Sequence, residues 1–248
     1  MKIVVCIKQV PDTTEIKLDP VTGTMIRDGV PSIMNPDDKG GLEMALALKD
    51  KYGAQVTVIT MGPPQADDIL REAFAMGADR AIHLSDRKFA GADTLATSYT
   101  LKTAIDKIET LEGKFDIIFC GKQAIDGDTA QVGPEIAEHM DCPQITYAIE
   151  AKVENDEVLA AKMPCVITVT KPSFSPRYPT IKSKMAANRA TINTLTAADI
   201  PVDAERIGLK GSPTKVKKSF TPPQKQGGVV VKEDSPEASA QKLFELLN

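Results

Sequence analysis

Lys2-Ile3-Val4-Val5-Cys6-Ile7-Lys8-Gln9-Val10 opens the chain with a continuous apolar run where a half-buried strand would alternate. A run of this kind reads as a strand covered on both faces, the hallmark of a parallel sheet packed between helices. The sequence then repeats a helix-stop-strand pattern. A helix over about Asp37 to Tyr52 carries Leu42, Ala45, Leu46 and Leu48 on one side, Gly53 stops it, and Gln55 to Met61 is the next strand. Gln65 to Met76 is amphipathic through Ile69, Leu70, Ala73 and Phe74, with Gly77 as its stop, and Ala81 to Leu84 is a short strand. A long helix over Ala92 to Leu111 and an apolar strand over Phe115 to Cys120 follow.

This alternation predicts an α/β fold of Rossmann-like kind: a mostly parallel sheet with helices on both faces, joined by right-handed crossovers. Beyond Cys142 the strands come without intervening helices, at Gln144 to Ile149, Val153 to Leu159 and Cys165 to Thr170. They extend the sheet or form a small antiparallel addition. Between the first strand and the first helix, Pro11 to Pro36 is rich in turn residues, and Asp19-Pro20 and Thr22-Gly23 suggest a hairpin-like excursion able to cap a ligand.

From Ala197 the chain turns polar and rich in Gly and Pro, then closes on a helix from Ser235 to Leu247. The expected organisation is a nucleotide-binding domain over 1–196 and a C-terminal arm and helix over 197–248. The apolar face with Leu243, Phe244, Leu246 and Leu247 must be covered, either by a partner subunit or by the chain's own domain.

The formal net charge of −4 disfavours nucleic acid as a partner, since phosphate neutralisation needs a clustered excess of Lys and Arg. No stretch approaches the roughly 18 consecutive apolar residues of a membrane span, and no cleavable leader is evident, so no membrane insertion and a cytoplasmic location are expected. Cys6, Cys120, Cys142 and Cys165 stand far apart, with His83 and His139 as the only histidines. That spacing predicts neither a disulfide framework nor a metal site.

In open parallel sheets ligands sit at the carboxyl ends of the strands, where strand order reverses. The loops to weigh therefore follow Cys6, Met61 and Cys120. Gly121-Lys122-Gln123-Ala124-Ile125-Asp126-Gly127-Asp128-Thr129-Ala130-Gln131-Val132-Gly133-Pro134 is the richest. Gly127 permits an unusual turn, Asp128 or Thr129 can cap the next helix, and amides of Thr129 to Val132 would then face an anion. The plainer reading is that Asp126 and Asp128 only cap and solubilise a turn. Asn35-Pro36-Asp37-Asp38 reads as a second helix start, with Asn35 as cap and Pro36 as first helical residue, and Gly62 after Met61 would admit an adenine or ribose. Neither a P-loop nor the G-x-G-x-x-G fingerprint is present, which disfavours P-loop hydrolysis and a standard dehydrogenase.

Val5-Cys6-Ile7-Lys8-Gln9-Val10-Pro11-Asp12, Asn35-Pro36, Ala73-Phe74-Ala75-Met76-Gly77-Ala78-Asp79-Arg80, the 121–134 loop, Pro176-Arg177-Tyr178-Pro179 and Gly208-Leu209-Lys210-Gly211-Ser212-Pro213-Thr214-Lys215 together resemble the beta subunit of electron transfer flavoproteins over nearly the whole chain. The resemblance implies an electron carrier with no catalytic residue of its own and a larger alpha subunit as partner. It implies nucleotide contacts at Cys6, Asn35, Pro36, Asp37, Asp38, Met61, Gln123, Ala124, Ile125, Asp126, Gly127, Asp128, Thr129, Ala130, Gln131, Val132, Gly133 and Pro134.

Family members hold either AMP, as a structural ligand, or a second FAD. The wording of Leu18 to Ser32 and of Asp126 to Gln131 resembles the FAD-holding, electron-bifurcating branch. That branch takes hydride from NADH and delivers electrons to ferredoxin or flavodoxin and, through the alpha-subunit FAD, to an acyl-CoA dehydrogenase. Arg177, Tyr178, Ile181 and Met185 fall in a segment resembling the loop that docks the dehydrogenase, with Ile181 as anchor. On pattern alone Ile181 and Met185, four apart, also suit a helix face turned to the chain's own core. Glu150 to Ala160 is shorter than the family's usual hairpin. A stand-alone nucleotide-binding enzyme or stress-type domain is the rival from another class.

Overall fold

The computed structural model describes residues 1–12, 31–154, 157–158, 161–172, 174–215, 217 and 227–247. In chain order the elements open with β1 (Lys2–Cys6), β2 (Gln9–Pro11), β3 (Ser32–Met34), α1 (Pro36–Tyr52), β4 (Gln55–Met61), α2 (Asp67–Met76), β5 (Arg80–Leu84), α3 (Thr94–Glu112) and β6 (Ile117–Gly121). Then come α4 (Val132–Met140), β7 (Gln144–Ala148), β8 (Val153–Glu154), β9 (Glu157–Val158), β10 (Ala161–Lys162), β11 (Cys165–Val169), α5 (Ile181–Ala187), β12 (Asn193–Leu195) and α6 (Pro236–Leu247).

Seven strands form one sheet in the order β12-β5-β4-β1-β6-β11-β7. Every neighbouring pair in it is parallel. β1 is central and its apolar run is explained by burial on both faces. Ile3 and Val5 enter a core cluster with Leu42, Leu46 and Leu70, while Val4 and Cys6 enter a second one with Ile105, Ile108 and Ile136. Helices α1 and α2 thus cover one face and α3 and α4 the other, the layered arrangement that alternating helix and strand imposes.

The chain leaves β1 toward β4 and β5 on one side, and leaves β6 toward β11 and β7 on the other. Strand order therefore reverses between β1 and β6, and the crevice above their carboxyl ends is where this fold receives ligands.

Several expectations shift. The first strand stops at Cys6 and not at Val10, because the N–H of Lys8 leaves the ladder to donate to Asp38 Oδ2 at 2.7 Å. β2 and β3 pair antiparallel and close the base of the expected excursion, whose Asp19-Pro20 and Thr22-Gly23 turns lie outside the described residues. The second helix begins at Asp67, after a single 3₁₀ turn over Pro64–Ala66. Of the late strands, β7 and β11 join the main sheet, while β8, β9 and β10 form a small antiparallel sheet of their own.

Among the described residues two compact units are present, one within 1–217 and the other holding 227–247. The first reaches beyond the expected limit at 196: Ile200 and Ile207 are buried in the second core cluster, and Ser212 accepts a hydrogen bond from the N–H of Asp93. In the second, the Ser235 hydroxyl caps α6 by accepting from the N–H of Ala238, and Leu243, Phe244, Leu246 and Leu247 are all exposed. No helix among the described residues is long and apolar enough to cross a membrane.

Candidate nucleotide-binding cradle

β1 and β6 stand in register with Cys6 opposite Cys120, so two thiols lie side by side at the switch point. Both are buried, and the hydrogen bond that the Cys120 S–H donates to Cys6, followed by burial, pushes the Cys120 thiol well above its usual range. The next residue on β6, Gly121, is fixed by a close approach. A Cβ there would lie about 2.1 Å from Asp38 Oδ1, so only glycine lets β6 pass the first turn of α1.

That approach is bonded. Asp38 receives the N–H of Gly121 at 3.0 Å on one carboxylate oxygen and the N–H of Lys8 on the other. Burial pushes its carboxyl up to about 7, opposed by hydrogen bonds from Asn35, Lys8 and Gly121. Burial likewise raises the Asp37 carboxyl, against the nearby Lys122 ammonium.

Asn35 holds the cap position of α1 and Pro36 its first turn, as anticipated, but the Asn35 side chain makes no cap bond. Fully buried, it reaches across to the long loop: Nδ2 donates to the Gln123 carbonyl at 2.9 Å, and Oδ1 accepts from the N–H of Ile125 at 3.1 Å. Lys8 Nζ adds an ion pair to Asp126 at 2.6 Å, and Gln123 Nε2 donates to Asp128 Oδ1 at 2.8 Å. The loop after β6 is thereby stitched to the ends of β1 and α1.

Its backbone departs from expectation in a useful way. Positive φ falls not on Gly127 but on Asp128 (φ 52°) and Ala130 (φ 53°). Neither Asp128 nor Thr129 caps the following helix, which starts at Val132 with Gln131 in the cap position. Left-handed Ala130 is followed by Gln131 at φ −107° and ψ −33°, a pairing of opposite hands that turns successive N–H groups into one concavity. Just beyond it, the first amides of α4 have no partner within the helix. The result is a concavity at the positive end of a helix, a geometry that suits an anion. Gly133 lets that end sit low on the sheet, since a Cβ there would meet Thr168 Cγ2 at 2.4 Å.

On the far side, Thr94 at the start of α3 places its hydroxyl 3.0 Å from Gln131 Oε1 and 3.1 Å from Glu135 Oε1. Met61 ends β4 half-buried against the second core cluster, and Gly62 stands close over Ala66, with 3.1 Å from its missing Cβ to the Ala66 Cβ. Beside the first turn of α1 opens a cavity of about 540 Å³ lined by Pro36, Asp37 and Lys39 and by Lys171, Pro172, Phe174, Ser175 and Pro176.

Cys6, Asn35 to Asp38 and the 121–134 loop thus meet at one crevice. Lys8 and Lys122 belong to it too, although neither carries a sequence signal beyond lying next to a strand end. The segment singled out for docking divides. Arg177 clamps α1, donating from Nε and Nη2 to Glu43 at 2.9–3.0 Å and from Nη2 to Asp50 at 2.8 Å. Tyr178, Ile181 and Met185 are 89%, 82% and 55% exposed, so the last two do not face the core.

Residues 22–200 match the family model for the electron transfer flavoprotein domain. An electron transfer flavoprotein subunit beta from Clostridium acetobutylicum is 53% identical, across 99% of this chain and 98% of its own length. One from Megasphaera elsdenii is also 53% identical, across 100% and 98%. The caffeyl-CoA reductase-Etf complex subunit CarD of Acetobacterium woodii is 49% identical, across 93% and 92%.

Proposed function

Because the chain belongs to the electron transfer flavoprotein family, as a beta subunit, we propose that its cradle holds FAD and that the heterodimer with an alpha subunit is a cytoplasmic, NADH-dependent electron-bifurcating carrier. The observation that carries this reading is the left-handed/right-handed turn at Ala130 and Gln131, set against the start of α4 and stitched down by buried Asn35. A pyrophosphate suits that concavity, because amide donors and the helix dipole both favour negative charge there.

FAD, when bound, supplies hydride acceptance from NADH and one-electron delivery, chemistry that no side chain of this protein provides. The chain's own residues bind and orient. Asn35 fixes the loop, the amides near Gln131 take the phosphates, and the buried cysteines and Asp38 hold water away from the base of the crevice. Ferredoxin or flavodoxin is the expected low-potential acceptor. An acyl-CoA dehydrogenase is the expected second acceptor, which the alpha-subunit FAD would serve when bound, and Tyr178, Ile181 and Met185 would form its docking surface. The relative that works in a caffeyl-CoA reductase complex supports a partner of the acyl-CoA class.

The test is to co-express the chain with its alpha subunit, count flavin and AMP per heterodimer, and titrate anaerobically with NADH. Two FAD with bleaching by NADH is the expected result. One FAD with one AMP and no response to NADH overturns the reading and leaves the chain a scaffold subunit.

A further inference from the structure

β7 is the edge strand of the main sheet, and it carries a fault. Ile145 pairs with Ile167 and Ala148 with Val169, so three steps along β7 match two along β11. One extra residue is accommodated in β7, and the register shift coincides with Tyr147 at φ 59°. The left-handed region is strained for a bulky aromatic residue, and such strain persists where the surroundings enforce it, commonly at ligand clamps. Here the enforcing contact is visible: the N–H of Tyr147 donates to the hydroxyl of buried Thr168 at 3.0 Å.

The bulge redirects a side chain. In an unbroken strand Ile145 and Tyr147 would share a face and Ala148 would take the other. Instead Ile145 and Ala148 both pack against the first core cluster, and Tyr147 is turned out, 51% exposed. Its ring arrives beside the cradle. Lys122, the first residue of the loop after Gly121, lies with Nζ 5.3 Å from the ring centroid. Thr168, which holds Tyr147, occupies the same rung of the sheet as Cys120 and Cys6. Bulges beside ligand sites serve to re-aim side chains in this manner.

We propose that Tyr147 is a stacking platform at the rim of the cradle for the flat heteroaromatic ring of a phosphate-bearing nucleotide, which takes one face of the tyrosine ring while the Lys122 ammonium lies over the other. The strain falls on the one residue of β7 whose ring it delivers to the crevice. The competing purpose, blunting an exposed sheet edge against pairing, needs a bulge but no aromatic ring. The identity of the ring rests on the FAD reading above. It has two sources, the resident flavin or the nicotinamide of the donor.

The experiment uses the full heterodimer carrying Tyr147→Phe, Tyr147→Ala or Tyr147→Gly. The glycine variant suits the left-handed backbone and keeps the comparison valid should alanine destabilise the fold. Flavin emission, FAD affinity of the deflavinated heterodimer and the NADH dissociation constant are measured for each, with the count of FAD and AMP in the wild type deciding the parent reading separately. Phenylalanine is expected to behave as wild type, while alanine and glycine weaken binding about tenfold, the order that loss of one stacked ring produces. Loss in FAD affinity with brighter flavin emission assigns the platform to the resident ring, and loss in NADH affinity alone assigns it to the donor. If the count finds AMP in place of a second FAD, AMP affinity is read in the same variants and the same loss is expected. Unchanged emission and nucleotide affinity in both truncated variants overturns the proposal and leaves the bulge an edge device.

Discussion

Asp38 shows how one side chain can set the pH response of the crevice. Its carboxylate takes the N–H groups of Lys8, just past β1, and of Gly121, at the end of β6, yet burial dominates and raises the carboxyl from 3.8 to about 7. Below 3.8 both folded and unfolded chains hold this proton, and above 7 both release it. Between those limits the folded state binds more protons, so this group makes stability fall as pH rises, by at most about 1.4 kcal/mol per pH unit. Urea unfolding of wild type and Asp38→Asn at pH 4.5, 5.5, 6.5 and 7.5 should show the wild type losing ground to the variant across that window. A difference between the two that does not change with pH would contradict it. Little of this was legible in the sequence. Asn35-Pro36-Asp37-Asp38 reads as an ordinary helix start, whereas Asn35 and Asp38 spend their side chains on residues 30 to 90 positions away. Left-handed Asp128 fits a residue type that tolerates that region, but nothing about an alanine announces φ 53° at Ala130.

Among the elements, α1 and the segment entering α5 teach opposite lessons about exposed-looking residues. Arg177 and Ile181 read from the sequence as parts of one docking motif, but only Ile181 is open. Arg177→Ala strands the Glu43 carboxylate, itself 8% exposed, and should destabilise the chain by roughly 1–3 kcal/mol in urea or thermal unfolding. Ile181→Ala, at an 82% exposed position, should stay within about 0.5 kcal/mol of wild type while raising the KM of the heterodimer for the proposed acyl-CoA dehydrogenase partner. The reverse pattern, an unstable Ile181 variant or a stable Arg177 one, would mean that the segment packs differently in solution. The strands of the sheet interior were readable because double-sided burial demands unbroken apolar runs, as in Ile3 to Ile7. β12 was not. Asn193-Thr194-Leu195 pairs only with β5 at the sheet edge, where three residues with one apolar side chain suffice.

For the whole molecule, the main unit owns both core clusters, and α6 contributes no buried residue to either. A chain ending at residue 226 should therefore keep a melting temperature close to that of the full chain while failing to assemble with the alpha subunit. Co-purification and thermal melts check both halves, and a truncated chain that unfolds would show that α6 supports the fold itself. The parallel fold was legible from the rhythm of its segments, but not the reach of the main unit to Ser212, because polar residues 197–214 carry no periodic signal. The stitching of the cradle bears on biosynthesis. Its ties join Asn35 to Ile125 across 90 positions and Lys8 to Asp126 across 118. While the ribosome is still making the first hundred residues, the nascent chain has β1 to β5 with α1 and α2, but not yet β6 or the loop after it that completes the cradle. Loading must wait until residues through 134 have emerged, so the ligand arrives as the seal on an assembled sheet and not as a template for its first turns.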